Sequence, residues 1–251
     1  MKAGATSFIN ITGRLTLLAA VCLSLSMVAT AKKPEKARVV DSGSFGIFVN
    51  GRRVATEKFQ IEQRSDASVA TSEFKAEDSS GKMAQKAELQ IASNGDLRRY
   101  TWRELDPGKA QEIVEPADQF LVEHIIPNPP DKPQDHPFLL PISTMVLDDY
   151  FFSHRQILAW RYLAQACGGT SAAGCKMTKT QFGVIIPRQR SSALVTLEYA
   201  GKENVTLRGV NRELDRFNLT AEGEQWALYL DENLKVLRIS IPAENTEVLR
   251  D

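Results

Sequence analysis

LDDYFFSHRQILAWRYLAQA, residues 147–166, is the stretch that decides the fold. On a helical wheel its apolar residues fall nearly all the way round: Tyr150, Phe151, Phe152, Ile157, Leu158, Trp160, Tyr162, Leu163 and Ala164. The polar residues His154, Arg161 and Gln165 recur at i, i+7 and i+11 and gather in one narrow stripe. A helix that is apolar on nearly every side is enclosed rather than laid on a surface. The spacing predicts one buried helix over 149–166, with Asp148 or Asp149 as N-cap and Gly168-Gly169 as its stop.

Working outward, the chain alternates with the period of strands. Phe45, Ile47 and Val49 lead into Asn50-Gly51, a strong hairpin signal, and Val54, Phe59 and Ile61 return. Val54 has the opposite parity to Phe59 and Ile61, so a bulge is expected near 55–57. Strands are read at 68–76 and 86–93. A second hairpin at Asn94-Gly95 sets Ala87 against Trp102, Leu89 against Tyr100 and Ile91 against Arg98. Shorter strands follow at 111–114 and 119–126. Residues 127–141, PNPPDKPQDHPFLLP, carry six prolines and cannot be central strand or helix interior; they read as a long connection within one domain. Beyond the helix, strands are expected at 182–186, from Val195 to a turn at Gly201-Lys202, through Val205 and Leu207, from Phe217, and at 226–230, 234–241 and 247–250. The expected total is about ten or eleven strands, spaced as in sandwiches and barrels. The fold class is therefore mainly β with a minor α+β character: a curved antiparallel sheet, or incomplete β-barrel, wrapped around one buried helix.

The N-terminus reads as an export signal. Lys2 and Arg14 precede the apolar run 15–28, and Ala29-Thr30-Ala31 offers a cleavage site before Lys32. Val21 stands where a lipobox carries a small residue, so Cys22 reads as an ordinary signal-peptide residue; an uncleaved anchor is the alternative. Residues 32–38 read as a disordered leader and 39–251 as a single β-rich domain. Without Lys2 and Arg14, and with no acidic residue in 1–31, the chain keeps 29 basic and 31 acidic residues, a net charge of −2. That balance gives no electrostatic reason to expect a nucleic acid or an anionic membrane surface. No integral membrane span is expected after cleavage. Cys167 and Cys175 flank GGTSAAG and are expected to form a disulfide in an oxidising compartment.

Little in the sequence points to catalysis. No G-x-S-x-G elbow, phosphate loop or dinucleotide fingerprint occurs. His124, His136 and His154 have no ligand spacing relative to Asp135, Asp148 or Asp149, so no metal, cofactor or catalytic site is expected. Two readings compete for the aromatic helix. Its side chains are core, or a strongly curved sheet leaves a cavity lined by Tyr150, Phe151, His154, Leu158, Arg161 and Tyr162. In the second reading Arg161 meets the headgroup, because its fork suits a carboxylate or phosphate.

The segments FGIFVNGRRVATEKFQI (45–61) and ALYLDENLKVLRISIPAENTEVLRD (227–251) resemble a group of uncharacterised exported bacterial proteins. Ala55 stands where that group carries glycine before Thr56-Glu57, and the group ends in a hairpin before a final basic-acidic pair. In outline it is similar to the lipoprotein carriers LolA and LolB, which implies an incomplete antiparallel barrel over helix. The expectation is an exported, non-enzymatic periplasmic or cell-envelope protein that takes a lipid-like or other apolar ligand between sheet and helix. The alternatives are a structural or assembly partner of an envelope protein, docking through a sheet edge or the proline segment, and a hydrolase with an unfamiliar site.

Overall fold

Alternation of apolar and polar residues runs the length of this chain, and the strands it produces add to one sheet. The structure, a computed structural model, describes residues 37–77, 83–167, 178–221 and 223–251. The expected signal segment 1–31, most of the leader and Cys175 lie outside them. Arg38, the last leader residue, already belongs to a strand. Before the helix come β1 (Arg38–Val49), β2 (Arg52–Gln63), β3 (Ala67–Ala76), β4 (Ala84–Ala92), β5 (Leu97–Asp106), β6 (Gln111–Ala117), β7 (Phe120–Ile126), β8 (Gln134–Pro141) and β9 (Met145–Val146). The helix α1 is Ser153–Cys167. After it come β10 (Thr180–Ile186), β11 (Ser191–Leu207), β12 (Val210–Ala221), β13 (Glu224–Leu230), β14 (Val236–Ile241) and β15 (Thr246–Arg250).

The sheet order is β8-β7-β6-β5-β4-β3-β2-β1-β15-β14-β13-β12-β11-β10-β9. Two meanders thus meet where the first strand pairs with the last, Phe45 opposite Arg250 and Val49 opposite Thr246. Every pairing is antiparallel except β9 with β10. The sheet curves around α1 as an incomplete barrel. Phe45, Phe59, Leu89, Tyr100, Phe217, Leu228 and Val248 turn inward and are buried, in one apolar cluster with Phe151, Leu158, Tyr162 and Leu163. A second, smaller cluster, Val205, Leu214, Ala227 and Tyr229, packs the long β11–β12 arm against β13.

Several boundaries differ from the sequence reading, each for a local reason. The first bulge sits at Val54, since Ile47 opposes Ala55 and Phe48 opposes Arg53. Ala87–Trp102 and Leu89–Tyr100 pair as expected, but Ile91 opposes Leu97 rather than Arg98. An Asx turn, with the Asp96 N–H donating to Asn94 Oδ1 at 3.1 Å, adds a residue there. Gly201 (φ +98°) is a bulge inside β11, not a turn. The chain reverses at Arg208-Gly209, where two successive residues have positive φ. The proline segment supplies β8, an edge strand, the place where prolines are tolerated in a sheet.

The helix begins at Ser153, later than expected, and neither Asp148 nor Asp149 caps it. Its cap comes from β2. The buried Glu57 carboxylate accepts from the Phe152 N–H at 2.7 Å, the Ser153 N–H at 3.3 Å, Ser153 Oγ at 2.7 Å and Ser72 Oγ at 2.8 Å. Glu57 is fully buried, and burial raises its pKa while these donors pull it back. A second tether joins α1 to β1 and β14. Gln156 Nε2 donates to buried Asp41 at 2.7 Å, and Gln156 Oε1 accepts the Val236 N–H at 2.8 Å. Arg250 closes on the same Asp41 with bonds of 2.6 and 3.0 Å, and Lys235 lies 3.1 Å away. Beside it Arg53 forks onto Asp251 at 2.7 and 3.0 Å. Replacing Glu57 by Ala leaves two amides and two hydroxyls without their buried acceptor. The expected result in urea denaturation is a loss of about 2–4 kcal/mol. A variant as stable as the parent would show that the Glu57 cap does not hold α1.

Candidate functional site

The curvature that encloses the N-terminal half of α1 does not close on its C-terminal half. There the helix and the β2–β4 wall diverge, leaving a cleft of about 680 Å³. The helix contributes Ile157, Trp160, Arg161, Ala164 and Gln165, a stripe at i, i+3, i+4, i+7 and i+8, together with the buried Leu163 beside it. Ile61, Ala70, Leu89 and Ile91 form the facing wall. Met145, Leu234 and the Ser93–Gly95 turn add to the lining, and Gln63, Arg64, Ser65, Ser68 and Asn233 make part of its rim polar.

Of the six residues expected to line such a cavity, only Arg161 does so. Phe151, His154, Leu158 and Tyr162 are buried in the core at 0–1 % exposure. Tyr150 precedes the helix on the outside, against Phe74 and beneath the Arg188 guanidinium, 4.4 Å from its ring centroid. The stripe His154–Arg161–Gln165 is therefore not one surface: His154 points into the core, while Arg161 and Gln165 face the cleft. Ile157 and Trp160 were read as helix core. Their spacing relative to Arg161 and Gln165 is the signal that groups them, and only the cleft shows which arc of the wheel is left uncovered. Trp160 is held by its indole N–H, which donates to the Leu234 carbonyl at 2.5 Å.

Arg161 is half-buried. Its Nη1 donates to the Gly95 carbonyl at 2.6 Å and lies 3.0 Å from Met145 Sδ. Among the described residues no carboxylate stands within ion-pair distance of it. Desolvation pulls its pKa down and nearby Asp96 pulls it up, but a guanidinium so placed stays charged. Gly95 fits because its φ is +90° and because a Cβ there would sit 3.2 Å from the guanidinium carbon. The chemistry on offer is a hydrogen-bonding cation at the edge of an apolar trough.

The other polar groups near α1 serve the fold. Asp148, fully buried, accepts from Arg188 Nε at 2.8 Å, from Arg188 Nη2 and from the Tyr100 hydroxyl. Gln85 bridges Arg188 Nη1, at 3.1 Å, to the Trp102 indole, at 3.0 Å. His154 Nδ1 accepts the Asp148 N–H at 3.3 Å, and burial drops its pKa to about 3, so it is neutral. The three histidines do not converge: His124 pairs with Asp135 at 2.7 Å, and His136 packs on Phe138. Cys167 ends α1.

Two carboxyls stand apart. Glu112 and Glu123 turn inward from β6 and β7, and Glu112 Oε2 and both Glu123 oxygens make no hydrogen bond among the described residues. Burial, then Asp148 for Glu112 and Glu112 for Glu123, pushes their pKa values to about 7 and about 8. Folded, they keep protons that the unfolded chain releases near the ordinary value of 4.5. The stability tied to them is complete below that value and is lost as pH rises through about 7 and about 8. His154 acts in the opposite direction, its contribution falling away as pH drops from 6.5 toward about 3. Glu123→Gln should raise the unfolding free energy above pH 8 by on the order of 1–3 kcal/mol, with little change near pH 5, in urea denaturation across pH. Equal effects at both pH values would mean that Glu123 does not titrate in the folded protein.

No helix among the described residues is long and apolar enough to cross a membrane. In comparison with known proteins, no family model, no curated relative and no solved structure matches this chain.

Proposed function

We propose that this protein is an exported, non-enzymatic binder of an amphiphile in the bacterial envelope. Its anionic head meets Arg161, and its apolar body lies between α1 and the β2–β4 wall. The observation that carries this reading is the half-buried guanidinium without a contacting carboxylate, at the edge of a cleft of about 680 Å³ whose floor is apolar and whose rim is polar. Small-ligand pockets run from about 300 to 1,000 Å³, so the volume suits a guest of acyl-chain size. The bonds from Arg161 to the Gly95 carbonyl and from Trp160 to the Leu234 carbonyl fix the lining without occupying the whole Arg161 fork. The N-terminal signal pattern supports an envelope location, and the resemblance of residues 45–61 and 227–251 to exported proteins of carrier-like outline supports a carrier-like role.

A second reading, an assembly partner without a small ligand, draws on β8. This edge strand exposes Leu139 at 79 %. Pro137 and Pro141 weigh against strand addition there, because each removes a backbone donor.

The test is displacement of a fluorescent fatty acid, with native mass spectrometry of the protein as purified. Saturable binding is expected, and Arg161→Met should weaken it about tenfold or more, the value of a charge-assisted hydrogen bond. The fatty acid's methyl ester should bind the parent and R161M equally. Absence of saturable displacement, together with no co-purifying lipid, would sink the ligand reading and leave β8 crosslinking as the next measurement.

A further inference from the structure

A second arginine of α1 is buried without a carboxylate, and it lines a different cleft. Arg155 is 3 % exposed. Its Nη1 donates to the carbonyls of Phe151, at 3.1 Å, and Asp148. Its guanidinium lies 4.9 Å from the Trp226 ring centroid and 5.5 Å from that of Phe152. Among the described residues its Nε–H has no hydrogen-bond partner and no carboxylate lies within ion-pair distance. The neighbouring acids are engaged elsewhere: Asp148 by Arg188 and Tyr100, Asp149 by Gln189 at 2.7 Å, and Glu57 by the helix amides. Burial lowers the pKa of Arg155 and outweighs Asp149, Asp148 and Glu57, which act on it through space. A buried cation whose only direct contacts are carbonyls and ring faces is under-compensated, because interior charges are normally paired.

Arg155 forms part of the wall of a cleft of about 300 Å³ between the start of α1 and strands β10–β13. Val184, Val195, Leu219 and Ala221 make one side apolar, and Trp226 offers an aromatic surface. This cleft and the Arg161 cleft have no lining residue in common. We infer that the Arg155–Trp226 cleft is a second binding site, selective for a small organic monocarboxylate with an apolar body. The carboxylate supplies the missing partner of Arg155, and the body packs on Trp226 and the aliphatic wall. Asp149, Glu224 and Glu244 on the lining disfavour a phosphate dianion or other polyanion more strongly than a monoanion, which favours a singly charged guest. The volume, less than half that of the other cleft, excludes a long acyl chain.

Calorimetric titration of the full chain with benzoate, isovalerate, benzamide and inorganic phosphate tests this. Benzoate or isovalerate should bind saturably, benzamide about tenfold or more weaker than benzoate, and phosphate not at all. Arg155→Met should abolish binding. Because that variant also loses contacts that hold the start of α1, Ala221→Phe, which fills the cleft from the opposite wall, should abolish it too. Arg161→Met should leave benzoate binding unchanged while weakening the fatty acid, so the two sites stand or fall separately. The inference is overturned if neither carboxylate binds the parent, if benzamide or phosphate binds as tightly as benzoate, or if benzoate binding survives Ala221→Phe.

Discussion

One carboxylate organises the rest: Glu57, fully buried on β2, accepting the first free amides of α1 from across the sheet. A helix start carries unsatisfied N–H groups and a partial positive charge, and in an apolar interior these need an acceptor supplied by the protein. A local cap would have left the helix free to slide along the sheet. A cap from β2 fixes both its depth and its position along the strand, with Ser72 and Ser153 saturating the remaining lone pairs. Gln156 then sets the rotation of the helix by bridging Asp41 and the Val236 amide. With start, depth and rotation fixed, the diverging C-terminal half of α1 presents a defined arc to the cleft.

The same logic extends to the seam between β1 and β15. Arg250 reaches Asp41, and Asp251 reaches Arg53 and Ser44, so the last two residues fasten β15 to β1 and β2. An incomplete barrel whose first and last strands pair has its weakest point at that seam, since neither terminal strand is held by a hairpin to the other. Two guanidinium–carboxylate forks at the seam, one of them buried, counter that weakness. Glu57, Arg250 and Asp251 are thus fold staples and leave the ligand unspecified.

Much of this architecture was legible in the sequence. Alternation gave the strands, Asn50-Gly51 the first turn, and the all-round apolar 147–166 segment the enclosed helix, because periodicity reports burial directly. What was not legible depended on long-range pairing. A helix capped by a residue 95 positions away leaves no local capping signature, so the start was placed too early, at Asp148 or Asp149. Ser153, Arg155 and Gln156, all buried, read as polar interruptions until the partners Glu57, Trp226 and Asp41 stand beside them. The site suffered in the same way. The wheel identified Arg161, but Phe151, Leu158 and Tyr162 were indistinguishable from lining residues, because sequence cannot say which arc a curved sheet covers.

Sorting the interior charges by partner separates scaffold from site. Asp41, Glu57 and Asp148 lie at 0–2 % exposure, and each is met by several donors from distant elements. Removing any one would strand those donors, so these groups are committed to the fold. The guanidiniums of Arg155 and Arg161 are different. Each has carbonyl partners, each lacks a carboxylate, and each borders a cleft rather than filled core. Selection for stability alone would favour an apolar residue of similar volume at such positions, because a desolvated cation without a counter-charge costs free energy that carbonyl bonds only partly offset. Keeping two of them, six residues apart on the one helix whose placement every tether serves, makes sense if the counter-charges arrive from outside the chain.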